Sequence, residues 1–128
     1  MTRKELSQVY YINREIEMWQ RKLGELREIE LPGQEVDGMP RGQKKSDPTG
    51  ARAIEAANIE EIINGLLAEL QIKRKEIYEY ISGLDDSLMR QIVMYRCISL
   101  CTWEEVAVYV GGKNTADSVR MMFNRLFA

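Results

Sequence analysis

The stretch TWEEVAVYVGGKNTADSVRMMFNRLF, residues 102 to 127, carries side chains suited to recognition rather than to catalysis. Arginine and asparagine match the paired donor and acceptor edges of guanine and adenine. If residues 115 to 127 form a helix, Ser118, Arg120 and Asn124 turn outward and are expected to read bases. Lys113, Thr115 and Arg125 are expected to hold phosphates, whose neutralisation supplies most of the affinity of such proteins. No histidine occurs in the chain, which removes the commonest general base near neutral pH. Nor does it contain a G-x-S-x-G elbow or a phosphate-binding glycine loop. The expectation is a protein that is not an enzyme and uses no cofactor.

Cys97 and Cys101 lie four apart on an expected helix. A zinc ion there would have to borrow carboxylates or a second chain, and a disulfide across one helical turn has poor geometry. The two are expected to be buried thiols of a reducing cytoplasm, with no metal.

Several local signals position the outward residues. Thr102 can cap a helix, with Glu105 three residues on completing a capping box. Gly111 and Gly112 end that helix, and Thr115 caps the next, which is expected to run to Phe127. Ala107 and Gly111 stand four apart, a spacing that lets two helices cross closely around a turn of positive φ. Val106, Val110, Val119, Met122, Phe123 and Leu126 supply the expected core. Before them, Asp85 or Asp86 caps a helix carrying Leu88, Ile92, Val93 and Tyr95, followed by a short link over 98 to 101.

The net charge of −2 does not advertise nucleic-acid binding, so the local distribution decides. Residues 85 to 128 hold five basic and five acidic side chains. Asp85, Asp86, Glu104 and Glu105 sit at helix starts, where the helix dipole favours them. Lys113, Arg120 and Arg125 gather on the turn and last helix, opposed there by Asp117 alone.

Residues 84 to 111, LDDSLMRQIVMYRCISLCTWEEVAVYVG, resemble the DNA-binding fourth region of sigma-70-type factors. The resemblance rests on an acidic start, an apolar helix ending in Tyr95-Arg96, and a helix of Trp103, Glu104, Glu105, Val106, Ala107 and Val110 closed by Gly111. The whole chain is similar to small phage-encoded regulators of the RinA/ArpU type. Such regulators join a helical coiled-coil portion, a polar loop and a sigma-region-4-like C-terminus, and are associated with activation of late phage operons. In one respect the sequence departs from the pattern: GGKNT delays the cap of the last helix by two residues.

The N-terminal half predicts long helices. Over residues 3 to 30, Val9, Ile12, Ile16, Trp19, Leu23 and Leu26 recur at spacings of three and four, the seam of a helix packed lengthwise. Pro32 and Gly33 stop it. Residues 31 to 48 read as a flexible polar connector whose Arg41, Lys44 and Lys45 are candidate arm contacts to phosphate. A second helix over 49 to 82 carries Ile59, Ile63, Leu66, Leu70, Ile77, Ile81 and Leu84, with Ile62 and Leu67 widening the stripe. That breadth exceeds what one partner helix covers, which predicts homo-oligomerisation through the long helices or docking of the C-terminal helices.

The expected fold is all-α: a long antiparallel helical hairpin over 1–83, then a three-helix, sigma-region-4-like helix-turn-helix unit over 84–128. The expected function is a sequence-specific transcription regulator in the cytoplasm of a bacterial host, binding double-stranded DNA, with host RNA polymerase a candidate partner. Two rivals stay open, a small terminase-like packaging subunit and a protein-binding helical module with no DNA role. No apolar run approaches the roughly 18 residues that a membrane span requires, and no membrane partner is expected.

Overall fold

The computed structural model describes residues 1–29 and 48–128, whose regular elements are all helices, with no strand among them. The expected arm residues Arg41, Lys44 and Lys45 lie outside the described residues. In order, the elements are α1 (Arg3–Leu6), α2 (Gln8–Ile29), α3 (Pro48–Ser82), α4 (Ser87–Val93), a π-helical segment (Met94–Ile98), α5 (Trp103–Val110), α6 (Ala116–Asn124) and a closing 3₁₀ turn (Arg125–Phe127). No described helix is long and apolar enough to cross a membrane.

The helix expected over 3 to 30 is broken at its start. Thr2 caps α1, its hydroxyl accepting from the Glu5 backbone at 3.1 Å while the Glu5 carboxylate accepts from the Thr2 backbone N–H at 2.8 Å. At Ser7 the chain leaves regular helix because the serine hydroxyl donates to the Lys4 carbonyl at 2.8 Å, competing with the backbone ladder. The Thr2 backbone N–H, and after it the Thr2 side chain, hold the Glu5 carboxyl below its usual range.

By compactness the chain divides into residues 1–13 with 69–128, and residues 14–68, so the division runs through α2 and α3. In the 14–68 unit, Ile16, Leu23 and Leu26 of α2 and Ile59 and Ile63 of α3 are buried. Arg27 and Glu60 pair at 2.6 Å between the two helices, both side chains more than half exposed, so the bond fixes register more than it stabilises. Trp19, expected on the seam, is half-buried and donates to Glu15 at 3.1 Å. Ile62 and Leu67, which widened the expected stripe, are 40% and 46% exposed.

In the other unit, Leu6 of α1, Val9 and Ile12 of α2, and Leu70 and Ile77 of α3 are buried. α4, α5 and α6 pack against one another in all three pairings. Ile92 and Val93, Val106, and Val119 show no exposure at those contacts, each contributing about 1.5–3 kcal/mol by burial. Met122, Val110 and Leu126, expected in this core, are half-buried at its margin.

The expected link over 98 to 101 takes another form. Its first residue belongs to the π-helical segment, where the Ser99 N–H reaches back to the Met94 carbonyl at 3.1 Å. Leu100 then adopts a left-handed φ of 59°, which costs a non-glycine residue about 1–2 kcal/mol. Neighbouring bonds hold it there: the Cys101 N–H to the Tyr95 carbonyl at 2.9 Å and Arg96 Nη1 to the Cys101 carbonyl at 2.9 Å.

Cys97 is buried and Cys101 partly so, and neither is in a disulfide. Burial pushes the Cys97 thiol up to about 12. Folding therefore retains a proton that the unfolded chain releases above the ordinary thiol value of 9.0. The corresponding stability is intact below that value and falls as pH rises toward about 12, by up to about 1.4 kcal/mol per pH unit. Urea unfolding at a series of alkaline pH values is expected to show this slope in the parent and a flatter one in Cys97→Ala.

Candidate nucleic-acid interface

The interface candidate is the segment from α5 to the end of α6. Thr102 caps α5, its hydroxyl accepting from Glu105 N–H at 3.2 Å and the Glu105 carboxylate accepting from Thr102 N–H at 2.8 Å. The Gly111 N–H closes the helix on the Ala107 carbonyl at 3.1 Å. Gly111 adopts φ 74° and ψ −158°, a region essentially restricted to glycine, and Gly112 follows at φ 67°. Ala107 is buried beneath this corner.

The two extra residues of the turn are built in by hydrogen bonds. Asn114 Nδ2 donates to the Gly111 carbonyl at 3.0 Å, closing the turn on itself. Thr115 caps α6, accepting from Ser118 N–H at 3.1 Å, while Ser118 Oγ accepts from Thr115 N–H at 2.8 Å. The longer connection is thus a braced corner that starts α6 at Ala116.

This bracing bears on the expected contacts. Thr115 and Ser118 spend their hydroxyls on the cap, and Ser118 is half-buried. Asn124 is also half-buried, its carbonyl oxygen accepting from Arg3 Nη1 at 2.8 Å. Arg120 stands exposed beside Asp117, 3.2 Å away, a pair weak enough for a competing anion to open. Lys113, at the tip of the turn, and Arg125, at the start of the closing 3₁₀ turn, are exposed and form no ion pair among the described residues. At about 100° per residue, Asp117 and Met121 occupy the centre of the outward face, flanked by Arg120 and Asn124 on one side and Ser118 and Arg125 on the other. Met121, 55% exposed, was absent from the expected contacts, although its position opposite Val119 and Phe123 marks it.

Sequence reasoning also missed Arg3. Besides holding Asn124, its guanidinium lies 4.5 Å from the centre of the Phe127 ring, so α1 is tied to the end of the last helix. Arg96 makes the equivalent contact over Trp103 at 4.3 Å, and Trp103 packs on Phe123 with ring centres 5.3 Å apart. Trp103 thus serves the core of the unit. Burial, then Glu105, raises the thiol of Cys101 nearby. No group of three or more metal-ligating side chains occurs among the described residues.

Comparison with protein-family models, curated proteins and solved structures returns no match to this chain.

The corner gives a direct test of backbone strain. A Cβ on Gly111 would meet nothing within 4 Å, so Gly111→Ala carries a conformational cost without a clash. Calorimetry is expected to show a loss of about 1–3 kcal/mol, against a few tenths at most for an exposed alanine change elsewhere.

Proposed function

We propose that the chain is a DNA-binding regulator in which α5, the Gly111–Thr115 turn and α6 act as a helix-turn-helix, with α6 lying in the major groove. The observation that carries this reading is the pair of capped short helices packed across a glycine corner, with Lys113, Arg120 and Arg125 turned outward from it. α4 packs against both, completing a three-helix unit of the size such modules have. Arg120 is the principal base reader and Lys113 and Arg125 hold phosphates. Met121 supplies apolar contact suited to a thymine methyl group. Asn124 joins the base contacts if the duplex displaces Arg3, while Thr115 and Ser118 orient α6 by spending their hydroxyls and backbone N–H groups on its cap.

Three cations per copy give weak binding alone, so the reading includes self-association through the long helices. Within residues 14–68, the Arg27–Glu60 bond and the facing Leu23 and Ile63 support an antiparallel hairpin whose exposed Ile62 and Leu67 are available to a second copy. The resemblance to sigma-like phage regulators supplies the expectation that the regulated genes are late phage genes and that RNA polymerase is a partner. A second reading, a protein-docking module, draws on Val108 and Tyr109, which stand 76% and 57% exposed on α5.

Selection of bound duplexes from random DNA, followed by gel-shift titration of the winner, tests the proposal. Arg120→Ala is expected to cost about 1–3 kcal/mol and relax sequence preference, and Lys113→Ala to weaken all sequences alike and lower the salt slope by about one. Asp117→Asn, which removes the carboxylate from the centre of the face, is expected to tighten binding. Absence of any selected sequence, or binding that does not weaken with salt, favours the protein-docking reading instead.

A further inference from the structure

A cleft of about 610 Å³ opens beside α6, between α1, the start of α2 and the first turn of α5. That volume falls in the range of small-molecule sites. Its lining includes Arg3, Arg96 and Arg120 with Tyr10, Tyr11 and Trp103, and no carboxylate side chain. In a chain of net charge −2 this is a local inversion of sign.

The three guanidiniums differ in how their charge is met. Arg3 has the Asn124 carbonyl oxygen and the Phe127 ring, and Arg96 the Cys101 carbonyl and the Trp103 ring. All four partners are neutral, and neither arginine forms an ion pair among the described residues. Arg120 has Asp117 at the rim. Two positive charges without a counter-charge among the described residues thus line one cleft. Because a guanidinium has five donors, one bond to a carbonyl leaves others for a phosphate or carboxylate oxygen. The aromatic walls add a second requirement. Tyr10 and Tyr11 stand edge to face, 5.2 Å apart and 46% and 61% exposed, at the side of the cleft built by α2. Exposed rings beside unpaired guanidiniums offer a stacking surface for a planar heterocycle together with an anchor for its anion.

We propose that this cleft binds a nucleoside phosphate, the phosphates between Arg3, Arg96 and Arg120 and the base against the tyrosine rings. The site stands on its own geometry and does not depend on the DNA-binding reading.

The test is a titration of the 128-residue chain with ATP, followed by calorimetry and by the indole N–H resonance of Trp103 in a Trp19→Phe background. The expected result is saturable binding that moves the Trp103 resonance. Adenosine alone and tripolyphosphate alone are expected to bind about tenfold or more weakly, each satisfying half of the site. Arg3→Gln and Arg120→Gln, both at exposed positions and checked for an unchanged circular dichroism spectrum, are each expected to weaken ATP by about tenfold, the scale of one lost charge-assisted bond. No movement of Trp103, or ATP binding undiminished in both variants, overturns the proposal. Tripolyphosphate binding as tightly as ATP overturns the nucleotide assignment in favour of a plain anion patch. If a DNA duplex moves the same resonance with the same sensitivity to Arg3→Gln while ATP does not, the cleft belongs to a DNA surface and the proposal fails. The ATP titration contains no DNA, so failure of the DNA-binding proposal leaves its outcome unchanged.

Discussion

Everything outward-facing on α6 depends on how α6 is seated, and the seat is a small apolar contact among three short helices. Val106 of α5, Val119 of α6 and Ile92 of α4 are wholly buried there. Helices of seven to nine residues are marginal in water by themselves, so their order comes from this shared burial and from the bonds at their ends. Asp86, Thr102 and Thr115 each accept a backbone N–H from the first turn they precede. With so few residues per helix, each cap governs a large share of the element it starts.

The legible parts of this arrangement are the local ones. Thr102 with Glu105, Gly111 and the Thr115 cap are readable because a cap acts over three residues, and residue type there directly states the hydrogen bond. The apolar positions Val106, Val119, Ile59, Ile63 and Leu70 were legible by periodicity, since one face of a helix must be covered. The break at Ser7 was within reach of the same logic: Thr2 and Glu5 repeat the Thr102 and Glu105 pattern, and a serine can compete with the ladder. Left-handed Leu100 was not, because nothing about a leucine announces positive φ. It is imposed by bonds from Cys101 and Arg96 that form only in the fold.

The candidate interface divides along the same line. That Arg120 and Arg125 face outward followed from helical spacing, and that Lys113 does so followed from its place in a polar turn. Ser118 and Asn124 have partners within the fold that the sequence does not display, for two different reasons. Serine stands where the capping-box pattern leads one to expect glutamate or glutamine, so its use in the cap was easy to overlook. Asn124 meets a partner 121 residues away in sequence, a relation no periodicity encodes. The cationic cleft is hidden for that reason as well: Arg3, Arg96 and Arg120 are far apart in the chain, and composition reports their sum against the acids rather than their convergence.

The corner at Gly111 has a further property. Its φ of 74° and ψ of −158° are the inversion, sign for sign, of the extended polyproline conformation that ordinary residues adopt freely. For an L-residue the position is strained although open space surrounds its Cβ, whereas for a residue of opposite chirality the same backbone angles are relaxed. The turn that aims α6 is therefore a small piece of mirror-image backbone set into a right-handed molecule. Its achiral residue is the one that takes this conformation without strain, and the direction in which the last helix leaves α5 is in that sense written in handedness.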